Sequence, residues 1–278
     1  VLREVYLEDA ARETARLDRE GYREIVLTGI HVSSYGLDFP EKAGIGPVPG
    51  GGAGRRVRFD PVRAGENLLG LLRELHEIEG LERIRLSSLE PRIMTEPFIA
   101  GIASLKKVCP HFHLSLQSGS NTVLKRMNRH YTTEEYAERV EILRKYFDDP
   151  AITTDVIVGF PGETEEEFEE TVEFLRRIRF YETHIFPYSG RKGTPADRME
   201  GQVTREEKHR RLTVLKELDA VRRREYVDRW IGKKAEVLFE EDGELETFKV
   251  VSTMRGDTVS GRISNESPMG KALMGHKV

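Results

Sequence analysis

The stretch DVIVGFPGETEEEF, residues 155–168, decides the fold because it contains a strand, a turn and the start of a helix. Its apolar beginning is typical of a parallel strand covered on both faces. Gly159 and Gly162 then interrupt the apolar run, and glycine permits the tight turns and close approaches that other residues resist. Thr164 and Glu167 have the spacing of a capping box, which predicts that a helix begins there. The stretch is therefore one unit of a parallel α/β fold.

The same strand–helix alternation extends along the first two thirds of the chain. Strands are predicted at 23–29, 83–88, 112–116, 152–159 and 182–188, and helices near 4–20, 66–79, 95–106, 120–128, 133–147 and 164–179. Such alternation predicts βα units around a parallel sheet. Because five strands are too few for an eight-stranded barrel, we predict an open or partial (β/α) barrel of TIM-like type.

The composition bounds the class of protein. Of the 278 residues, 38% are hydrophobic and 33% are charged, with a net charge of −4. No apolar run approaches the roughly 20 residues of a membrane span, and no signal peptide is visible, so we expect a cytoplasmic protein without membrane contact. The single cysteine, Cys109, excludes an internal disulfide framework. The chain opens at Val1, which is compatible with a fragment of a longer protein.

Three regions are predicted along the chain. Residues 1–203 form the partial barrel, 204–232 a connecting helix and 233–278 a small β domain. Within the barrel, 40–65 is a loop with seven glycines and four prolines, which either covers a ligand or is a solvated insertion.

The connecting helix admits two interpretations. A stripe of apolar residues runs along it at helical spacing, formed by Leu215, Leu218, Val221, Tyr226 and Trp230. Residues 205–229 also hold nine Lys/Arg against six Asp/Glu. The helix is therefore either a solvated amphipathic connector or a surface that contacts a phosphate backbone.

Polar residues at the strand ends predict a ligand site. Ligands of parallel α/β folds bind where strands end. In the third strand, period-2 alternation places His113, Ser115 and Gln117 on one face and Phe112, Leu114 and Leu116 on the other. If helices cover the apolar face, the polar face lines the barrel, where a wet interior that holds a small molecule is favoured.

Neighbouring residues add to this site. The sequence QSGS at 117–120 begins a helix suited to an anion, and Arg126 and Arg129 follow it, either of which can clamp a carboxylate. His31 and Glu90 end two other strand–turn segments. His111 and His113 have a metal-like spacing, but no third ligand is close in the sequence, so no metal centre is predicted.

Five motifs in order resemble one family. They are GYREIVLTGIHVSSYG (21–36), RIRLSSLEP (83–91), CPHFHLSLQSGSNTVLKRMNRHYTTEEY (109–136), TTDVIVGFPGETEEEFEET (153–171) and HIFPYSGRKGTPADRM (184–199). Together they resemble the radical-SAM methylthiotransferases, and the last motif is most similar to the MtaB type. That type adds a methylthio group to C2 of N6-threonylcarbamoyladenosine at tRNA position 37. MiaB-type and RimO-type relatives share the scaffold but have other substrates.

The resemblance implies S-adenosylmethionine bound across the strand ends of a partial (β/α)6 barrel. It implies roles for residues of several turns: Thr28 and Gly29 at the methionine amino end, Ser88 and Glu90 near the ribose, Gln117 and Ser118 lining the cavity, Arg126 as carboxylate clamp, Gly159 and Gly162 at the adenine, and Pro187 and Tyr188 beside it. It also implies [4Fe–4S] clusters, whose C-x3-C-x2-C ligands lie upstream in this family, along with the first strand. No catalytic residue is then expected within this chain, which is predicted to be inactive by itself.

The tail resembles two different domains. IGKKAEVLFEEDG (231–243) is similar to the start of a TRAM domain, which contacts tRNA, whereas GRISNESPMGKALMGHKV (261–278) resembles the C-terminal domain of GreA-type elongation factors. Besides the enzyme, two alternatives stand: a non-catalytic module that binds RNA or RNA polymerase, and a lyase- or aldolase-like barrel. The last needs a lysine or metal triad at the strand ends, and none is evident.

Overall fold

The computed structural model describes residues 7–29, 31–37, 59–229, 231–232, 234–238, 245–251 and 262–264. The helices are α1 (Leu7–Arg19), α2 (Pro61–His76), α3 (Glu96–Ala103), α4 (Asn121–Arg126), α5 (Thr133–Tyr146), α6 (Glu165–Ile178) and α7 (Arg205–Asp228). The strands are β1 (Glu24–Leu27), β2 (Arg83–Leu86), β3 (His111–His113), β4 (Ala151–Val158), β5 (Glu182–Pro187), β6 (Lys234–Leu238), β7 (Leu245–Val251) and β8 (Arg262–Ser264). A strand or helix is present at each of the five predicted barrel strands and six predicted barrel helices, but β3 is shorter than the predicted strand 112–116 because it ends at His113.

The five barrel strands run parallel in chain order. β1 pairs with β2, and β3, β4 and β5 form a second ladder in which β4 is central. Isolated parallel bridges, Ile84 to Val108 and Leu89 to Leu114, join the two ladders. Because every strand has the same direction, all the carboxyl ends meet at one edge. The predicted partial α/β barrel is therefore confirmed.

Alternation along the strands separates a core face from an inner face. Phe112, Leu114 and Leu116 are all fully buried beneath the helices, as predicted. The intervening His113 and Ser115 are only partly buried. The barrel therefore has an apolar outer layer and a polar interior, which positions polar side chains for a ligand.

Helix starts follow their capping residues. Thr132 with Glu135, and Thr164 with Glu167, form complete capping boxes at α5 and α6. The start of α2 corrects the prediction, because this helix begins at Pro61 and includes the last five residues of the predicted loop 40–65. Asp60 explains the early start, since its carboxylate accepts hydrogen bonds from two backbone N–H groups of the first turn. Loop residues 40–58 lie outside the described residues.

The long helix α7 packs against β5 and confirms the predicted helix 204–232 in outline. Leu215 is buried, and Tyr226 contacts Tyr181 with ring centroids 4.3 Å apart. Val221 was wrongly placed on the packing stripe, because it is 55% exposed. Trp230 lies outside the described residues.

The C-terminal strands form a separate small sheet. β6 pairs antiparallel with β7, and β7 pairs parallel with β8. This agrees with the predicted β character of the tail. Among the helices that the structure describes, none is both long enough and apolar enough to cross a bilayer.

Candidate functional site

All the sequence-predicted cofactor residues lie at or just beyond the carboxyl edge of the parallel strands. They are Thr28 and Gly29 after β1, Ser88 and Glu90 after β2, Gln117, Ser118 and Arg126 after β3, Gly159 and Gly162 after β4, and Pro187 and Tyr188 at the end of β5. The fold thus gathers residues from distant parts of the sequence at one edge. Their individual roles toward a cofactor stay predictions.

Gln117 has a strained backbone at the end of the β3 segment. Its φ of 73° lies in the left-handed region, which costs a non-glycine residue about 1–2 kcal/mol. β4 holds it there, since the Gln117 N–H donates to the Asp155 carbonyl at 2.8 Å and its carbonyl accepts from Ile157 at 2.9 Å. Backbone strain of this kind clusters at functional sites. The strain is consistent with the predicted site role of Gln117, which stays a prediction.

Ser118 is directed into the protein. It is fully buried, its hydroxyl lies 3.3 Å from that of Thr171 on α6, and it accepts a hydrogen bond from the Ser120 N–H. The Gly119 N–H also donates to Thr171. The structure therefore places Ser118 as a brace between this turn and α6, beneath the surface of the predicted cavity.

Arg126 already has a carboxylate partner. Its guanidinium forms a bidentate pair with Glu167 on α6, with Nη1 2.9 Å from Oε1 and Nη2 bonded to Oε2. Burial opposes ionisation of Glu167, but hydrogen bonds from Arg126, the Thr122 hydroxyl and the Thr164 N–H outweigh it and hold the pKa of Glu167 at about 2. Sequence reasoning missed Glu167, although its position in the capping box was recognised.

The turn after β4 is fixed from beneath by a buried ion pair. Glu163 accepts a hydrogen bond from the Gly159 N–H at 2.6 Å and pairs with Arg211 of α7 at 2.7 Å. The side chains of Glu163 and Arg211 are only 1% and 5% exposed. Burial raises the pKa of Glu163, and the Arg211 guanidinium and the Gly159 N–H oppose that rise. The turn is thus anchored to α7 by a fully desolvated charge pair.

The two glycines of this turn have different surroundings. Both have positive φ, 70° at Gly159 and 75° at Gly162. A Cβ at Gly159 would overlap the Lys208 side chain, whereas at Gly162 its nearest neighbour would be Arg126 Nε at 3.8 Å. The left-handed backbone favours glycine at both positions, but only at Gly159 would a Cβ also meet a steric clash.

The end of β5 meets the start of α7. Lys208 Nζ donates to the Tyr188 carbonyl at 3.0 Å, and Phe160 contacts the Tyr188 ring edge-on with centroids 5.2 Å apart. A cleft of about 770 Å³ lies here. It is lined by Pro187, Tyr188, Ser189, Arg205, Glu206, Lys208, His209 and Leu212. Its basic side chains suit an anionic partner.

Three buried polar atoms at this edge suit a polar ligand such as S-adenosylmethionine. Ser87 Oγ, Arg126 Nε and Tyr188 Oη are each buried without a hydrogen-bond partner among the described residues. An unpaired buried polar group costs about 1–3 kcal/mol, so a bound molecule that pairs with these atoms gains stability. The residues present therefore fit the cofactor. Ser87 was missed, because the sequence alone does not show which of two adjacent serines faces inward.

The β1 and β2 side of the edge is more open. Thr28, Gly29 and Ser88 are exposed. Glu90 is half-buried, pairs with Arg92, and its backbone N–H donates to Ser33 Oγ at 2.7 Å. This side offers side chains to a ligand without the internal bracing of the β3 and β4 turns.

An iron–sulfur cluster does not fit this chain. Such clusters are held by several cysteine thiolates, and the sequence contains only Cys109. Cys109 is 5% exposed, and burial raises its pKa, which disfavours the thiolate that would bind iron. The structure therefore supports a packed thiol at this position.

Comparisons with protein families agree with the motifs. Residues 1–175 match the model of the Radical SAM superfamily, and residues 230–278 match that of the transcription elongation factor GreA/GreB C-terminal domain. Coproporphyrinogen III oxidase (HemN) from Escherichia coli, a radical SAM enzyme of known structure, superposes with a TM-score of 0.52 at 14% identity. That superposition covers 78% of this chain and 45% of HemN, and it shows the fold alone.

Two relatives of different substrate type are equally similar. The threonylcarbamoyladenosine tRNA methylthiotransferase MtaB of Aquifex aeolicus is 40% identical, over 91% of this chain and 56% of its own length. The tRNA-2-methylthio-N(6)-dimethylallyladenosine synthase of Thermoanaerobacter pseudethanolicus is 40% identical, over 95% of this chain and 51% of its own length. The chain spans about half the length of the curated relatives it matches.

Superfamily membership implies S-adenosylmethionine and a [4Fe–4S] cluster as cofactors. The family match covers residues 1–175, which is well over half of the sequence. This chain belongs to the Radical SAM superfamily.

Proposed function

We propose that this chain is the S-adenosylmethionine-binding barrel of a radical-SAM tRNA methylthiotransferase. The observation that carries the proposal is 40% identity, over more than nine tenths of the chain, to methylthiotransferases that modify adenosines in tRNA. The site supports it, because unpaired buried polar atoms and a glycine turn lie at the edge where superfamily members bind their cofactor. We propose tRNA as the partner and the cytoplasm as the location.

Within this proposal, the chain's own residues bind and orient. Ser87 Oγ, Arg126 Nε and Tyr188 Oη supply hydrogen-bonding atoms for the cofactor. Gly159 and Gly162 are proposed to form the turn that lies against the adenine, as the resemblance implies. The Glu163–Arg211 pair fixes the turn, so that the site is formed before the ligand arrives. When bound and reduced by a cluster, S-adenosylmethionine supplies radical chemistry.

The cluster ligands are proposed to come from residues outside these 278 positions, because one buried cysteine cannot hold a cluster. The 278-residue chain should accordingly assemble no iron–sulfur cluster after anaerobic reconstitution, with no stoichiometric labile sulfide, and should form no 5′-deoxyadenosine. Stoichiometric labile sulfide together with iron on this chain would contradict the proposal. We also propose that the chain divides into the partial barrel (1–203), the connecting helix (204–232) and the small β domain (233–278).

For the substrate, we propose N6-threonylcarbamoyladenosine at tRNA position 37, on the MtaB-like stretch HIFPYSGRKGTPA at 184–196. The experiment is mass spectrometry of tRNA nucleosides from a strain that lacks the gene. Loss of the 2-methylthio form of threonylcarbamoyladenosine supports the proposal. Loss of the methylthio dimethylallyl form instead assigns the other substrate, and loss of neither contradicts a tRNA methylthiotransferase.

A second candidate rests on the GreA/GreB match at 230–278, which supports a module that binds RNA polymerase. The similarity to the Thermoanaerobacter relative reaches into the same region, because a match covering 264 of 278 residues leaves only 14 unmatched. Methylthiotransferase similarity thus continues through most of the tail. Co-purification of RNA polymerase with the complete protein, lost when 230–278 are deleted, would favour the second candidate.

A further inference from the structure

The barrel interior contains a cluster of two histidines and one aspartate that the proposed cofactor site does not use. His113 lies on β3, Asp155 on β4 and His184 on β5, so that three adjacent parallel strands each contribute one side chain. One ligand atom of each, a ring nitrogen or a carboxylate oxygen, lies within 4.8 Å of the other two. Among the described residues, this is the one group of three or more histidine, cysteine or acidic side chains whose ligand atoms lie this close together.

Strand register brings these residues together. Asp155 is the direct cross-strand partner of His184, and His113 is the partner of Thr153, two residues before Asp155 on the same face. His113 Nε2 lies 3.2 Å from Asp155 Oδ2, and the rings of His113 and His184 lie side by side, with centroids 5.7 Å apart and planes inclined at 29°. Because these three side chains are on neighbouring strands of one sheet, the backbone holds their ligand atoms in a fixed arrangement.

We propose that His113, Asp155 and His184 bind a divalent first-row transition metal ion of the zinc class. Two imidazoles and a carboxylate form a common set of protein ligands for such ions, and three ligands leave a coordination position for water or a substrate atom. Bonds of about 2.0–2.1 Å in a tetrahedral site place ligand atoms about 3.3 Å apart. The distance of 3.2 Å from His113 Nε2 to Asp155 Oδ2 is close to this value, and the ligand atom of half-buried His184 lies within 4.8 Å of both.

The hydroxyl group that contacts the other ring nitrogen of His113 supports a ligand role for this residue. Its Nδ1 lies 3.0 Å from the hydroxyl of Thr153, which is fully buried. A histidine that ligates a metal through one nitrogen usually donates the other N–H to such an oxygen, which fixes the ring orientation. The His113 and Asp155 side chains are 12% and 29% exposed, so an ion can reach them from the barrel interior.

This arrangement corrects the metal interpretation of the sequence. His111 and His113 were the suspected pair, without a third ligand, but His111 is not part of the cluster. The missing ligands lie 42 and 71 residues further along the chain, as the numbering shows. Only the register of the parallel strands brings them to His113.

The test is titration of the 278-residue chain with Zn²⁺ by calorimetry. We expect one equivalent to bind, and His184→Ala and Asp155→Asn each to weaken binding at least about tenfold. Thr153→Val, which removes the outer-shell oxygen, should weaken binding about 10- to 100-fold. The matched control His130→Ala removes an exposed histidine and should change nothing, as should Cys109→Ser.

Two further measurements test the metal site even if a variant folds poorly. Circular dichroism melts identify such a variant, and Co²⁺ absorption of the unchanged chain reports its ligands directly. Visible d–d bands without a near-ultraviolet thiolate band support nitrogen and oxygen ligands. Absence of stoichiometric binding, a thiolate band, or equal losses in His184→Ala and His130→Ala would overturn it. The outcome is independent of methylthiotransferase activity.

Discussion

The two sides of the strand edge differ in how they are held. On the β3–β4 side, turn residues are buried and braced: Ser118 contacts α6, and Glu163 pairs with Arg211 of α7. On the β1–β2 side, Thr28, Gly29 and Ser88 are exposed and less braced. The difference indicates a preformed half and an open half of one site. Substitutions on the first side should therefore cost more folding stability than substitutions on the second.

The largest effect is expected at Arg211. Arg211→Met leaves the Glu163 carboxylate buried without its cation, and breaking such a pair costs about 3–5 kcal/mol. The free energy of unfolding from urea titration measures the loss. The matched control is Arg210→Met on the same helix, whose ion pairs are about half exposed and should contribute less than about 1 kcal/mol. Equal losses in the two variants would contradict the anchoring of the turn.

The next effect distinguishes the two glycines. Gly162→Ala should cost about 1 kcal/mol from its left-handed backbone, whereas Gly159→Ala adds a clash with Lys208 and should cost about 2–3 kcal/mol. The resemblance implies that Gly159 lies at the adenine, and the contact with Lys208 adds a folding cost to a side chain at this position. A double variant with Lys208→Ala should recover part of the loss, and strict additivity would rule out the clash.

The features that could be predicted from the sequence are those that depend on local sequence patterns. Strand and helix positions follow from hydrophobic periodicity, and Thr164 with Glu167 correctly marked the start of α6. Partners across the sequence could not be predicted, because pairing depends on register and packing. Glu167 meets Arg126 over a separation of 41 residues, and Arg211 meets Glu163 over 48.

Long-range packing also determines how the arginines of helix α7 are used. The composition of this helix predicts a solvated connector or a surface that contacts a phosphate backbone, yet Arg211 is buried. Its neighbour Arg210, with the same local sequence character, is not. Helical phase places Arg211 on the packing stripe, because Leu215 and Leu218 follow it by four and seven residues, but it does not reveal the carboxylate that the neighbouring turn supplies.

A smaller effect concerns acid stability. The folded pKa of Glu167 is about 2, below the ordinary value near 4.3, so its contribution is complete above pH 5 and is lost as the pH falls toward 2. With allowance for solvent screening, this contribution is about 1 kcal/mol. Arg126→Ala should therefore destabilise the chain by about that amount at pH 7 but hardly at pH 2.

Urea titrations at the two pH values check this dependence. Lys125→Ala, an exposed neighbour, is the control and should show no such dependence. A loss in Arg126→Ala that is as large at pH 2 as at pH 7 would show that Arg126 acts through packing instead. In the complete enzyme, Arg126→Ala should also weaken S-adenosylmethionine binding roughly 10- to 100-fold, as loss of a charge-assisted hydrogen bond predicts.

The smallest effect on stability is expected on the open side, at the adjacent serines after β2. Ser87 Oγ is buried and has no partner among the described residues, whereas Ser88 is exposed. Ser88→Ala should change the free energy of unfolding by less than about 0.5 kcal/mol, because the hydroxyl is exposed. Ser87→Ala should raise the free energy of unfolding by about 1 kcal/mol at most, because it removes a buried hydroxyl that has no partner among the described residues.

The two serines should also differ in their effect on cofactor binding. If the ligand satisfies Ser87, then Ser87→Ala in the complete enzyme should weaken S-adenosylmethionine binding about 2- to 10-fold, the scale of one hydrogen bond. The resemblance assigned the cofactor contact to Ser88, so calorimetry on both variants decides between the two residues. A loss confined to Ser88→Ala would mean that the exposed hydroxyl turns toward the ligand and that the buried one remains unpaired in the complex.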